Sequence, residues 1–135
     1  MNTDEVIDKL VTRVSDLQTQ VNEINRIEQY RSGDGAWTTL TINSGNGWAA
    51  FGGGEDVLAY RIDGKYVHLR GLIKNGTINT VCATLPAGAR PSKRRRLLHR
   101  TVGGSGELDI TTGGDIIPQT GNNSYISFDS IWFEL

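Results

Sequence analysis

Two pairs of carboxylates lie close enough along the chain to act together. Glu107 and Asp109 are spaced to share one face of a strand, and Glu55 and Asp56 follow the glycine run at 52–54. Paired carboxyl groups are what glycoside hydrolysis needs, one of them with its pKa raised by apolar surroundings. Neither pair sits in an apolar stretch, so hydrolysis is not expected. Gly52-Gly53-Gly54 lacks the lysine and the following helix of a phosphate-binding loop. His68 and His99 are the only histidines, and neither has a Cys or second His at ligand spacing. Both read as strand residues with ordinary hydrogen bonds, and no metal or cofactor is implied. The single cysteine, Cys82, lies in the run Thr80-Val81-Cys82-Ala83 and reads as a small buried hydrophobe. Catalysis is therefore not what this sequence advertises.

Recognition chemistry is better represented. Sugars bind through apolar C–H faces laid on aromatic rings, with a few polar groups at the margin. Trp48 lies in the turn-rich stretch 44–52, and Tyr125 follows Gly121-Asn122-Asn123-Ser124. The segments 45–56 and 113–125 add Glu55, Asp56, Asp115, Asn122 and Asn123 as partners for hydroxyl groups. These seven residues are the candidate ligand set. Trp48 fits equally a core position, which the burial habits of large aromatics favour, and Trp37 and Trp132 are expected in the core. Lys93-Arg94-Arg95-Arg96, with Arg90 and Arg100, places six positive charges in eleven residues. Beyond residue 100 the chain carries Glu107, Asp109, Asp115, Asp129 and Glu134 and no Lys or Arg, and the net charge is −1. The basic strand is thus expected to pair with the acidic C-terminal part, within or between chains, rather than with nucleic acid, contact with an anionic surface polymer being the alternative. Strand alternation would put Arg94 and Arg96 on one face, Lys93 and Arg95 on the other.

Two regions of different period must position these groups. Residues 1–31 contain no glycine or proline, and apolar residues recur at Ile7, Leu10, Val14, Leu17, Val21 and Ile24. That is a heptad seam, with Ile7, Val14 and Val21 at a and Leu10, Leu17 and Ile24 at d, as in a parallel coiled coil. Thr3 is placed to cap the helix, Asp4 and Glu5 suit its positive end, and Gly33-Asp34-Gly35 ends it. β-branched a positions with leucine at d favour dimers, whereas Val6 and Ile27 at g and Val11 at e widen the stripe toward a trimer. The coil alone leaves both open. The acidic start is unlike a signal peptide, and no apolar run is long enough to span a bilayer, so membrane insertion is not expected.

Residues 32–135 read as an all-β head, a sandwich or barrel-like fold built on an antiparallel meander. Glycine is abundant there, part of a total of 17, roughly twice the usual share of about 7%. Asp63-Gly64 joins the alternating runs 57–62 and 65–74, and Asn75-Gly76 precedes a third at 77–85. Both dipeptides are expected to form type I′ hairpin turns. Further strands are expected at 37–42, 47–51, 93–100, 106–112, 115–117 and 125–135. In the last, Ile126 and Phe128 have one parity, and Ile131, Phe133 and Leu135 the other. The shift near Ser130 implies a bulge or a strand buried on both faces.

The stretch Tyr66-Val67-His68-Leu69-Arg70-Gly71-Leu72-Ile73-Lys74-Asn75-Gly76-Thr77, followed by Ala83-Thr84-Leu85-Pro86-Ala87-Gly88-Ala89-Arg90-Pro91-Ser92-Lys93, resembles the C-terminal heads of bacteriophage tail-fibre and baseplate receptor-binding proteins. The likeness is greatest to phages and prophages of Gram-positive bacteria. Trp37-Thr38-Thr39-Leu40, Gly47-Trp48 and the helical stalk fit the same pattern. The resemblance implies a homotrimer in the virion, at a tail fibre or baseplate, made in the host cytoplasm beside other tail proteins. It implies binding to a host cell-wall polysaccharide or teichoic acid and no catalytic residues. The competing reading is a structural trimerisation or tip module whose recognition lies elsewhere.

Overall fold

The structure, a computed structural model, describes residues 2–32 and 36–135, with helix side chains described through residue 22. One helix, α1 (Thr3–Ser32), opens the chain. Its cap is Asn2 rather than Thr3: Asn2 Oδ1 accepts the Glu5 backbone N–H at 2.8 Å, which leaves Thr3 as the first helical residue. Ile7, Leu10, Val14, Leu17 and Val21 are between 49% and 63% exposed, an apolar seam that the single chain leaves uncovered. The expected stop at residues 33–35 lies outside the described residues, as do the side chains of Ile24 and Ile27. No helix among the described residues is long and apolar enough to cross a membrane.

Among the described residues eleven strands follow: β1 (Thr38–Thr39), β2 (Ala49–Ala50), β3 (Ala59–Asp63), β4 (Tyr66–Arg70), β5 (Leu72–Lys74), β6 (Ala83–Thr84), β7 (Arg95–Thr101), β8 (Gly104–Ile110), β9 (Asp115–Pro118), β10 (Ile126–Ser127) and β11 (Ile131–Glu134). They form two sheets, ordered β1-β3-β4-β11 and β2-β5-β10-β7-β8-β9-β6. Every strand pairing is antiparallel. Ile42 bridges Ala83, and Asn43 N–H donates to Cys82 O at 2.7 Å, so the segment leading into β2 meets the far edge and the larger sheet curls toward itself. Leu58, Val67, Leu69, Ile73, Leu85, Leu108, Ile110, Ile116, Ile126 and Phe128 pack into one core. The architecture is thus a mostly β head behind an N-terminal helix.

The chain passes between the sheets four times, and the passages from β4 to β5 and from β10 to β11 are tight corners that correct the strand assignments made from periodicity. The run 65–74 breaks at Gly71, whose φ is +114° and where a Cβ would lie 2.5 Å from Leu58 N. Only glycine fits that turn and that close approach. The terminal run breaks at 128–130, where Ser130 has φ +69°. It is not one strand: Ile126 and Ser127 of β10 are both buried, so the expected burial on both faces holds for that part alone. β10 and β11 belong to different sheets, and in β11 Ile131 and Phe133 are buried while Trp132 and Glu134 are exposed. The corners are tied together: Gly71 N–H donates to Asp129 Oδ1 at 3.0 Å, and Phe128 N–H to Gly71 O at 2.8 Å.

The meander is correspondingly shorter than expected. Asp63 pairs with Tyr66, so the turn residues of the first hairpin are Gly64 and Lys65. Gly64 has φ +61° while Lys65 is not among the positive-φ residues, an arrangement of type II′ rather than I′. Asn75-Gly76 is not a hairpin turn at all. Asn75 has φ +72°, Gly76 does not share it, and β5 pairs instead with β2 and β10.

Candidate functional site

On β4, alternation sends Val67 and Leu69 into the core and leaves Tyr66, His68 and Arg70 facing outward. The same rule on β11 turns Trp132 and Glu134 outward. Register then sets the neighbours: Trp132 lies opposite His68, and Asp63 of β3 lies opposite Tyr66. Asp63, Tyr66, His68 and Trp132, drawn from three adjacent strands, line an open cleft of about 260 Å³ on the outer face of the smaller sheet.

Its geometry mixes ring surface with polar margin. Tyr66 and Trp132 meet edge to face, with centroids 5.5 Å apart and planes at 85°. Trp132 remains 55% exposed. His68 Nε2 stands 3.8 Å from Asp63 Oδ2. At one end, Lys65 Nζ pairs with Glu134 Oε1 at 3.3 Å and lies 5.7 Å from the Tyr66 ring. Elsewhere on the same sheet, Arg70 and Arg61 lie over Trp37 at 4.3 and 5.3 Å, a cation–π stack on a half-buried ring. Trp37 and Trp132 are therefore not core residues. Trp132 lies on the outward face of β11, and Trp37, just before β1, lies under the outward-facing arginines of β3 and β4.

The loop residues singled out from sequence are mostly engaged in holding the fold. Trp48 is 1% exposed, its Nε1 donating to Thr80 Oγ1 at 3.0 Å, so it offers no ring face to a ligand. Asp115 accepts from Thr84 Oγ1 at 2.8 Å. Asn122 Oδ1 accepts the Ser124 N–H, and Asn123 Nδ2 donates to Gly76 O. Tyr125 packs edge-on against Phe51, with centroids 6.3 Å apart. Glu55 and Asp56 are exposed between β2 and β3. The structure gathers Trp48, Gly76 and Asn123 into one packed region, and it forms no open site from the seven.

None of Asp63, Tyr66, His68 and Trp132 is among the binding residues expected from the sequence. Parity carried a signal for one of them, since Trp132 shares its strand face with Glu134 and not with Ile131 and Phe133.

The basic strand pairs within the chain, as its charge pattern suggested. Arg94 and Arg96 both bond Asp109, the latter through Nε to Oδ1 at 3.0 Å, and Arg95 donates to Glu134 O at 3.1 Å. The hydrogen bond from Arg96, aided by Arg94, holds the Asp109 carboxyl below the usual carboxylate range despite complete burial of its side chain. His99 is buried, with ring nitrogens at the carbonyls of Arg100 and Thr120, and burial pushes the Cys82 thiol far up. These groups are structural.

A helix followed by a two-sheet β head is an arrangement that recurs among solved structures. The chain is similar to the receptor binding protein (gp15) of Listeria phage PSA, with a TM-score of 0.58 over 98% of this chain and 86% of that one. Identity is 17%, so the likeness is one of fold, and its extent takes in α1 as well as the head. Neither the comparison with protein families nor that with curated proteins gives a match.

Proposed function

We propose that this chain is the receptor-binding head of a phage tail fibre or baseplate, attaching the virion to its host as a homotrimer without catalysing a reaction. The observation that carries the reading is the shared fold along essentially the whole chain. The exposed heptad seam supports assembly. Apolar area left in water forgoes roughly 25 cal/mol per Å², and a parallel coil of two or three helices covers such a stripe. The attached target is a host cell-wall polysaccharide or teichoic acid. An exposed tryptophan and a tyrosine beside a carboxylate and an imidazole favour recognition in this head over a purely structural tip.

The test is decoration of cells. Fluorescently labelled chain, applied to a panel of Gram-positive strains, is expected to coat at least one of them. Periodate oxidation of the wall glycans is expected to abolish that coating. Absence of coating on every strain at micromolar chain would overturn the proposal.

A further inference from the structure

We infer that the cleft lined by Asp63, Tyr66, His68 and Trp132 is the saccharide site, and that it accepts a single uncharged pyranose ring rather than the phosphodiester backbone of a wall polymer. The inference rests on the attachment reading above and deepens it. It also moves recognition from the loops, where variable contacts would be sought first, to the face of the smaller sheet.

Size and shape limit the occupant. Drug-sized ligands fill pockets of roughly 300–1,000 Å³, and this cleft, at about 260 Å³, has room for about one ring. The edge-to-face contact holds Tyr66 and Trp132 at right angles, and the free surface of Trp132 can lie flat against the C–H face of a sugar. Hydrogen-bonding capacity is at the margin. The Asp63 side-chain oxygens can meet two neighbouring hydroxyls, and the ring nitrogens of His68 add further hydrogen-bonding positions.

Charge then separates sugar from phosphate. The lining contains one carboxylate, the Lys65 ammonium beside Tyr66 is paired with Glu134, and the guanidinium of Arg61, which lies opposite His68, is laid over Trp37. A phosphate entering the cleft would meet Asp63 with no guanidinium among the lining residues to bind it, whereas phosphate sites are built from arginine forks or lysines. A neutral ring meets no such penalty. Placement on paired strands adds rigidity, because register fixes the lining residues before any ligand arrives. Each site is small and open, so affinity per site is modest. Three copies on one head would convert modest affinity into firm adhesion.

Saturation-transfer NMR on the intact chain tests this, using the methyl glycosides of glucose, galactose, mannose and N-acetylglucosamine, with glycerol 1-phosphate as the anionic probe. At least one glycoside should receive saturation and glycerol phosphate none. Trp132→Ala should abolish the transfer, and Asp63→Asn should weaken binding about tenfold, equivalent to about 1.4 kcal/mol. Trp132→Phe should restore part of it. Tyr125→Ala should leave it unchanged. The exposed position of Trp132 predicts an unaltered melting temperature for all the cleft variants.

Several results would overturn the inference. Transfer that survives Trp132→Ala but is lost in Tyr125→Ala would return the site to the loops. Binding of glycerol phosphate in preference to every glycoside would reverse the charge argument. Loss of the trimer in Trp132→Ala would make the cleft a protomer interface. Failure of all four glycosides with cell coating intact would remove the cleft and leave attachment standing. Failure of both would remove attachment itself.

Discussion

At the scale of single residues, close packing and one buried charge carry the clearest consequences. Gly76 lies against the indole of Trp48, and a Cβ there would fall 1.8 Å from Trp48 Cδ2. Its φ is not positive, so the demand for glycine comes from the ring and not from a turn. Gly76→Ala is accordingly expected to destabilise by about 1–3 kcal/mol, the usual cost of overpacking. In denaturant titrations, adding Trp48→Phe should make the alanine cheaper than it is alone, whereas a turn effect would be indifferent to the ring. Asp109 makes a different prediction. Its folded pKa lies below the unfolded value of about 3.9. The stability it contributes is therefore present above that unfolded value and lost as pH falls through the folded one. Asp109→Asn has no such group to titrate. Between about pH 5 and pH 2 the variant should lose less stability than the parent chain, as read from melting temperatures across that range.

At the scale of elements, α1 gives the sharpest expectation. Leu17 is 59% exposed in the single chain and sits at the centre of the seam. Leu17→Asn places an amide where the coil would bury it, and should shift the assembly toward monomer on dilution in analytical ultracentrifugation. The head's own near-UV circular dichroism should stay unchanged. The heptad pattern of this helix was legible in the sequence because it is local. So were the β3–β4 hairpin and the pairing of the basic strand. The two corners were not, for a physical reason. Val67, Leu69 and Ile73 keep one parity straight through Gly71. Both sheets face the same core, so a strand can leave one for the other while its apolar side stays inward, and alternation is blind to the change. The parity shift before Ile131 did mark the second corner, yet it reads the same as a bulge. The cleft was hidden for a further reason. It depends on the register of three strands, two of them about 65 residues apart in sequence.

At the scale of the whole molecule, light scattering is expected to give three times the chain mass of 14.8 kDa at micromolar concentration. A stable monomer would refute the assembly. The tied corners bear on how that assembly is made. β10 lies between β5 and β7, and β11 pairs with β4, so both sheets take a strand from the segment synthesised after every one of their partners. Neither sheet is complete until those strands arrive, and such long-range pairings fold slowly, roughly in milliseconds to seconds. A chain cut after residue 125 should therefore show no cooperative unfolding transition, rather than a lower one. The helix is translated first and needs no distant partner to form. On the ribosome, neighbouring nascent chains would then have time to associate along their helices while each head is still open. Association would thus precede the completion of any head, whose own contacts would then settle the number of copies.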